Sequence, residues 1–348
     1  MKMTMGGDCT KCETTRALND LTLHIDLPLM LKVKARDFFL LVLIVLAIST
    51  SIAVSHYHTQ YKFIYVDDWL NNAVGLPFGG RALVADLARF VATIFNLAYD
   101  GKLAIGVFVL IEAIAMAVAS MSIIMMARKQ VEDSLTSPTV LLAYLIFLWQ
   151  VAYTLFITPV HRYWLSYDVV TLCVTSLGLY LVIANKFLPL VVTVAIGSWN
   201  RETTVVLASW YFFYYLSAEK TPRLLAKTLL LVSLTPAVKA IVLWSHNLQA
   251  DPGVVTLYDT GQLRLLLNIA FLDNYRLLAV FGVFGFLWML LPLAIQRQPN
   301  SPLVRCLWSF PIYFLGMMVV GNIHEIRIFL EFIPLVTLVL ITGLARRA

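Results

Sequence analysis

Apolar residues fall in long blocks separated by short polar stretches. Runs close to the ~20 residues that a bilayer-spanning helix needs occupy 37–54, 103–127, 139–158, 168–185, 224–245, 277–296, 306–321 and 328–345, the run at 306–321 being short. The stretch 187–217 is different. Two apolar pieces, 187–198 and 203–217, are split by Asn200-Arg201-Glu202, and each is too short to cross comfortably. They read as a broken pair of half-helices or a tight hairpin. The pattern predicts an all-α polytopic transmembrane bundle of about 8–10 membrane segments. Between these runs, 55–102 and 246–276 carry amphipathic stretches such as Ala82-Leu-Val-Ala-Asp-Leu-Ala-Arg-Phe90, which suit helices lying in the membrane plane.

Residues 1–36 are polar and mixed in charge, ending in Lys32, Lys34 and Arg36, and read as a flexible cytoplasmic tail. Residues 37–348 read as a single transmembrane domain. The first apolar run starts at Phe38, late and long for a secretory signal, so it is taken as an uncleaved first span. Composition agrees: 60% of residues are apolar and 13% charged, against ~45–50% and ~25% in soluble domains. Lipid must cover part of that apolar surface. Cys9 and Cys12 form a lone C-x-x-C without the two further ligands of a zinc site, and Cys173 and Cys306 lie in apolar runs. No disulfide framework is implied.

Orientation follows the basic residues. With the N-terminus inside and alternating spans, Arg128, Lys129, Lys186, Lys220, Arg223, Lys227, Arg297, Arg305, Arg346 and Arg347 fall on the cytoplasmic side. That places both termini in the cytoplasm, provided that 187–217 returns to its starting side. The net charge of +6 then suits anionic headgroups rather than nucleic acid.

The outer segments carry four polar clusters. Tyr65-Val-Asp67-Asp68-Trp69 crowds two acids, which suits a shared proton or cation, a general base or a Mg²⁺ or Mn²⁺ ligand; equally, Asp68 caps a helix near Trp69. Pro77-Phe-Gly-Gly-Arg81 joins a close-approach loop to a phosphate-matching guanidinium, or is a turn with a snorkelling Arg. His161-Arg162-Tyr163-Trp164 and Tyr167-Asp168 combine with Asn200-Arg201-Glu202, whose charges interrupt an apolar run and must pair or face a wet cavity. His324-Glu325-Ile326-Arg327 opens the last span. There Glu325 and Arg327 are too close to share one helix face, while Arg327 and Glu331 are spaced to pair as i, i+4. Lys239 is the mid-span outlier, placed to snorkel or to meet a cavity acid.

A first span, an acidic pair in the first outer loop, an interfacial helix and many further spans resemble the GT-C superfamily of integral membrane glycosyltransferases. Gly80-Arg81-Ala-Leu-Val, Tyr167-Asp-Val-Val-Thr-Leu, Asn200-Arg-Glu-Thr203 and Glu325-Ile-Arg-Ile-Phe329 look like a group of bacterial membrane proteins associated with that fold. The likeness runs from about Asp37 to the C-terminus, without the soluble domain that many members carry after the last span. It implies a plasma-membrane enzyme moving a sugar from a polyprenyl-phosphate donor to an acceptor at the outer face, with inversion. In that picture Asp67 and Asp68 are the catalytic base or metal site. Arg81, Arg162, Tyr167, Asp168, Asn200, Arg201, Glu202, His324, Glu325 and Arg327 are candidates for the substrate and its phosphate. The residues leave two rivals open: a secondary transporter built on the broken 187–217 stretch, and a non-catalytic assembly protein.

Overall fold

The computed structural model describes residues 35–60, 68–69, 71, 80–95, 101–157, 164–246, 265–272, 280–321, 323 and 325–345. The expected N-terminal tail therefore lies almost wholly outside the described residues. Among the described residues every regular element is helical, and seven helices are long and apolar enough to cross a membrane.

In chain order the helices are α1 (Ala35–Thr59), α2 (Leu83–Ile94), α3 (Gly101–Val131), α4 (Pro138–Ala152, extended by a π-helical turn Tyr153–Ile157), α5 (Ser166–Ile183), α6 (Phe187–Asn200), α7 (Val206–Tyr215), α8 (Thr221–His246), α9 (Leu265–Leu272), α10 (Leu291–Gln296), α11 (Pro302–Cys306), α12 (Ser309–Val320) and α13 (Ile333–Ala345). Tight 3₁₀ turns precede α7 (Glu202–Val205), α10 (Val283–Leu290) and α13 (Ile326–Phe332). Local sequence explains several boundaries. Ser137 caps α4 by accepting from the Val140 amide at 3.2 Å, with Pro138 in the first turn, as the orphan amides of a helix start require. Asn185 takes a left-handed conformation and turns α5 back into α6.

Two helices form the centre. α5 is 83% buried along its apolar window and the last span, Ile326–Ala345, is 89% buried, against 17% for α8. The last two-thirds of α5 and all of α13 are apolar nearly all round, which is how a helix surrounded by other helices reads. α3 packs on α5 and on α1, and α13 packs on α4 and α10. α1 and α8 keep most of their apolar surface outward, including Leu229 and Ile241, as the outer helices of a membrane bundle do.

The broken stretch is a hairpin. α6 has 14 residues, about 21 Å at ~1.5 Å each, short of a ~30 Å hydrocarbon layer. At its tip Arg201 is extended (φ −156°, ψ 137°), and the chain then runs back through α7. Tyr215, at the end of α7, donates to the Val182 carbonyl at the end of α5 at 2.7 Å, and the Tyr211 ring lies 5.4 Å from that of Phe187, where α6 begins. The hairpin thus leaves and returns at one end of the bundle, and its tip stops beside the start of α5. Gly197 lets it seat there, because a Cβ would collide with Val174 and Thr204.

The run at 277–296 is less regular than its hydropathy suggests. Val283–Gln296 is a shorter apolar piece in which Phe284, Gly285 and Phe286 all have positive φ, so the right-handed helix stops there. The Trp149 indole donates to the Gly285 carbonyl at 3.1 Å and holds this turn from α4.

Candidate functional site

The hairpin tip brings together side chains far apart in sequence. Arg201 donates to Asp168 at 3.0 Å and reaches Glu331 at 3.6 Å. Asp168 sits in the first turn of α5, where the helix N-terminus favours a carboxylate. Its other oxygen lies 3.5 Å from Arg327, which also binds Glu325 at 2.8 Å. Thr203 donates to Glu331 at 2.5 Å. Arg201, Asp168 and Glu331 are almost wholly buried, with side-chain exposures of 4%, 2% and 0%. Such charges persist in a bundle only when paired, and here each guanidinium spans two carboxylates.

A second layer covers this one. Arg81 donates to the Tyr167 hydroxyl at 2.5 Å and lies over the Tyr167 ring at 4.7 Å. It also faces Glu202 at 3.8 Å. Lys239 binds the other Glu202 oxygen at 3.3 Å and donates to the Gly80 carbonyl at 2.6 Å. Asn200 fixes the tip to α5 through the Tyr167 carbonyl and the Thr171 hydroxyl, both at 2.8 Å. Partial burial works against ionisation of Glu202, but the Arg81 and Lys239 charges outweigh it and hold the carboxyl below the usual carboxylate range. Among the described residues the two layers hold four cations (Arg81, Arg201, Lys239, Arg327) and four carboxylates (Asp168, Glu202, Glu325, Glu331).

Of the residues singled out from sequence, Arg81, Tyr167, Asp168, Asn200, Arg201, Glu202, Glu325 and Arg327 meet in this cluster. Asp67, Arg162 and His324 lie outside the described residues. Asp68 is exposed, and among the described residues no hydrogen bond or ion pair joins it to the cluster. Its neighbour Trp69 is buried against Phe108 (6.0 Å) and Tyr167 (5.6 Å). Among the described residues no three His, Cys, Asp or Glu side chains group to hold a metal, and of the pair expected to ligate Mg²⁺ or Mn²⁺ only Asp68 is described.

Two pairing expectations are corrected. Glu325 and Arg327 do pair, because Glu325 precedes the helix with non-helical backbone (φ −83°, ψ 80°). Where helical spacing set Arg327 against Glu331, Arg327 instead pairs with Asp168 and Glu325, and Glu331 with Arg201 and Thr203. The segment between Arg327 and Glu331 is 3₁₀, with ~3 residues per turn, so four-residue spacing no longer aligns them, and Glu331 turns to Arg201. Lys239 takes the second of its two expected courses and meets an acid, Glu202.

Sequence reasoning passed over two other polar groupings. Glu112, inside α3, binds His56 of α1 and accepts from the Trp164 indole at 3.0 Å, with all three buried. The signal was present: a lone acid inside an apolar run must find a partner. Asp86 of α2 binds Arg89, His246 (3.0 Å) and the Trp199 indole (2.9 Å). It ties the amphipathic helix to the ends of α8 and α6.

Beside the charged cluster lies an apolar cavity of about 490 Å³. The 3₁₀ segment Ile326–Phe332 separates them: Arg327 and Glu331 face the charges, while Phe329 and Phe332 line the cavity. Trp288, Trp308 and Phe314 complete much of its wall.

No family model matches this chain, and no curated protein or solved structure matches it either.

Proposed function

We propose that this protein is a plasma-membrane glycosyltransferase of the GT-C type, moving a sugar from a polyprenyl-phosphate donor to an acceptor hydroxyl with inversion. The observation that carries the reading is the convergence of four fixed cations and four carboxylates at one end of the bundle, next to an apolar cavity. A phospholipid-linked sugar has that dual chemistry, a charged head on an apolar chain. The basic residues Arg128, Lys129, Lys186, Lys220, Arg223 and Arg297 lie at the opposite end, which supports cytoplasmic termini and an exoplasmic site.

The chain's residues divide the chemistry as follows. A carboxylate of the Asp67–Asp68 pair takes the proton of the acceptor hydroxyl, whose oxygen attacks the anomeric carbon. The bond from that carbon to the phosphate oxygen breaks, and the phosphate leaves with the electron pair. Fixed cations stabilise the charge it develops, most effectively where water is scarce. If a metal takes part, the same two aspartates would hold it and it would add positive charge beside the phosphate. No step here depends on it.

The test is sugar transfer by the purified protein in nanodiscs, using polyprenyl-phosphate sugars labelled in the sugar. Asp67→Ala and Asp68→Ala should abolish transfer while the protein still folds. Full turnover in both variants would remove the assignment. A transporter is the second reading, favoured by the buried charges at the hairpin tip. Uptake of a solute into proteoliposomes with no covalent product would support it.

A further inference from the structure

We propose that the Glu202 carboxylate is a displaceable stand-in for an anionic ligand, occupying the place between Arg81 and Lys239 that a phosphate-ester head takes when it binds. This inference deepens the glycosyltransferase reading and rests on it only for the identity of the lipid.

The three partners are held very differently. Arg81 is fixed from beneath by the Tyr167 hydroxyl at 2.5 Å and by its stacking on that ring. Lys239 is fixed by the Gly80 carbonyl at 2.6 Å. Their side chains are only 13% and 16% exposed. Glu202 is 51% exposed and meets the two cations at 3.8 and 3.3 Å. The cations are therefore anchored by groups that an arriving anion does not disturb, whereas half of the carboxylate side chain is uncovered and free to swing away from them. Two anchored cations facing one shared, half-exposed carboxylate make an anion site whose resident is covalently attached. The neighbouring layer lacks this freedom, since Asp168 and Glu331 are enclosed with Arg201 and have no water to turn into.

Geometry suits the ligand class. A phosphate monoester offers several oxygens to a guanidinium fork and an ammonium together, which one carboxylate does less completely. Glu202 keeps the two cations compensated while the site waits, at the cost of competing with the ligand. The shared chemistry is a phosphate-ester anion, and its source is either a lipid head arriving from the membrane or a free phosphate from water.

The experiment measures binding to the full chain in neutral phosphatidylcholine nanodiscs. One arm titrates inorganic phosphate from solution, and the other adds farnesyl phosphate to the bilayer. Wild type should bind in at least one arm, and Glu202→Gln, which keeps the shape but loses the competing charge, should bind about tenfold tighter. Lys239→Gln and Arg81→Gln should bind more weakly than wild type. Glu202→Ala repeats the first comparison should the amide form new hydrogen bonds, and thermal melting of each variant confirms folding. Tighter binding in the lipid arm alone assigns the site to a lipid head, and in both arms to phosphate generally. If wild type binds and the Glu202 variants bind equally or more weakly, the displaceable carboxylate is overturned while the glycosyltransferase reading stands. If neither wild type nor any variant binds in either arm, the anion site falls. Absence of sugar transfer despite tighter binding by Glu202→Gln would instead sink the glycosyltransferase reading alone.

Discussion

Two buried polar groupings in this bundle are built differently. The His56–Glu112–Trp164 group is closed: one acid on α3 meets an imidazole on α1 and an indole just before α5, and all three are buried. The cluster at the hairpin tip has more charges than a tether needs and grades from the sealed Arg201–Asp168–Glu331 layer to the half-exposed Glu202. The two are joined by a chain of ring contacts, Tyr167 edge-on to Trp69, Trp69 stacked on Phe108 and Phe108 tilted against Trp164, with centroids 5.6–6.1 Å apart. A closed acid fixes helices against each other. A graded cluster with one solvent-facing member can in addition exchange a partner.

The largest effect should come from the sealed layer of the cluster. Arg201→Ala removes one charge and leaves Asp168 and Glu331 facing each other without it. Breaking a buried pair in this way costs ~3–5 kcal/mol. The readout is unfolding in bicelles, and a loss below ~1 kcal/mol, the range of surface ion pairs, would mean that water reaches this layer and that the distinction between the layers is wrong.

Next in size is the closed group. Glu112→Gln keeps an acceptor for the Trp164 indole but changes what His56 meets, a cost of ~1–3 kcal/mol for an imperfectly satisfied buried group. Stability should fall, and anion binding in the nanodisc titrations should stay within about twofold of wild type, a difference of under ~0.5 kcal/mol. A collapse of binding with stability intact would show that the aromatic path carries more than packing. Gly197→Ala tests the cluster from the backbone side. The new methyl would press on Val174 and Thr204, and overpacking of this kind costs ~1–3 kcal/mol. Amide exchange should quicken at 197–206 and remain unchanged around His56; equal quickening at both would deny that the two regions are separable.

The difference between the regions also explains what the sequence made legible. The spans were readable because lipid demands long apolar runs, and the hairpin was readable because Asn200-Arg201-Glu202 broke one. Arg81, Asp168 and Arg201 stood out because charges at the mouths of apolar segments need partners. The partners themselves were hidden. Glu331 was matched to Arg327 by α-helical spacing, and only the 3₁₀ geometry of Ile326–Phe332 sends it to Arg201. Glu112 and His56 sit in separate spans, and nothing local says which acid meets which imidazole. The cavity was invisible because its walls are ordinary apolar residues, and the left-handed turn at Phe284–Phe286 has only Gly285 as a signal.

The smallest expected effect concerns Glu202 and acid. Its ordinary value is near 4.5, and in the fold Arg81 and Lys239 hold it lower despite the opposing push of partial burial. A depressed folded value means that the ion pairs stabilise the fold fully above pH 4.5, and that their contribution drains away as pH falls below it. Half the side chain is exposed, so the contribution stays within the ~0–1 kcal/mol of exposed pairs. Melting wild type and Glu202→Gln side by side should therefore give a small, constant gap from pH 7 to 5 that closes below pH 4.5. The sealed layer offers the contrast: at pH 7, Arg201→Ala should open a gap several times wider, because its partners have no water to fall back on. A gap for Glu202→Gln as wide as that of Arg201→Ala would mean that Glu202 is as enclosed as Asp168, and a carboxylate so enclosed could not step aside for a ligand.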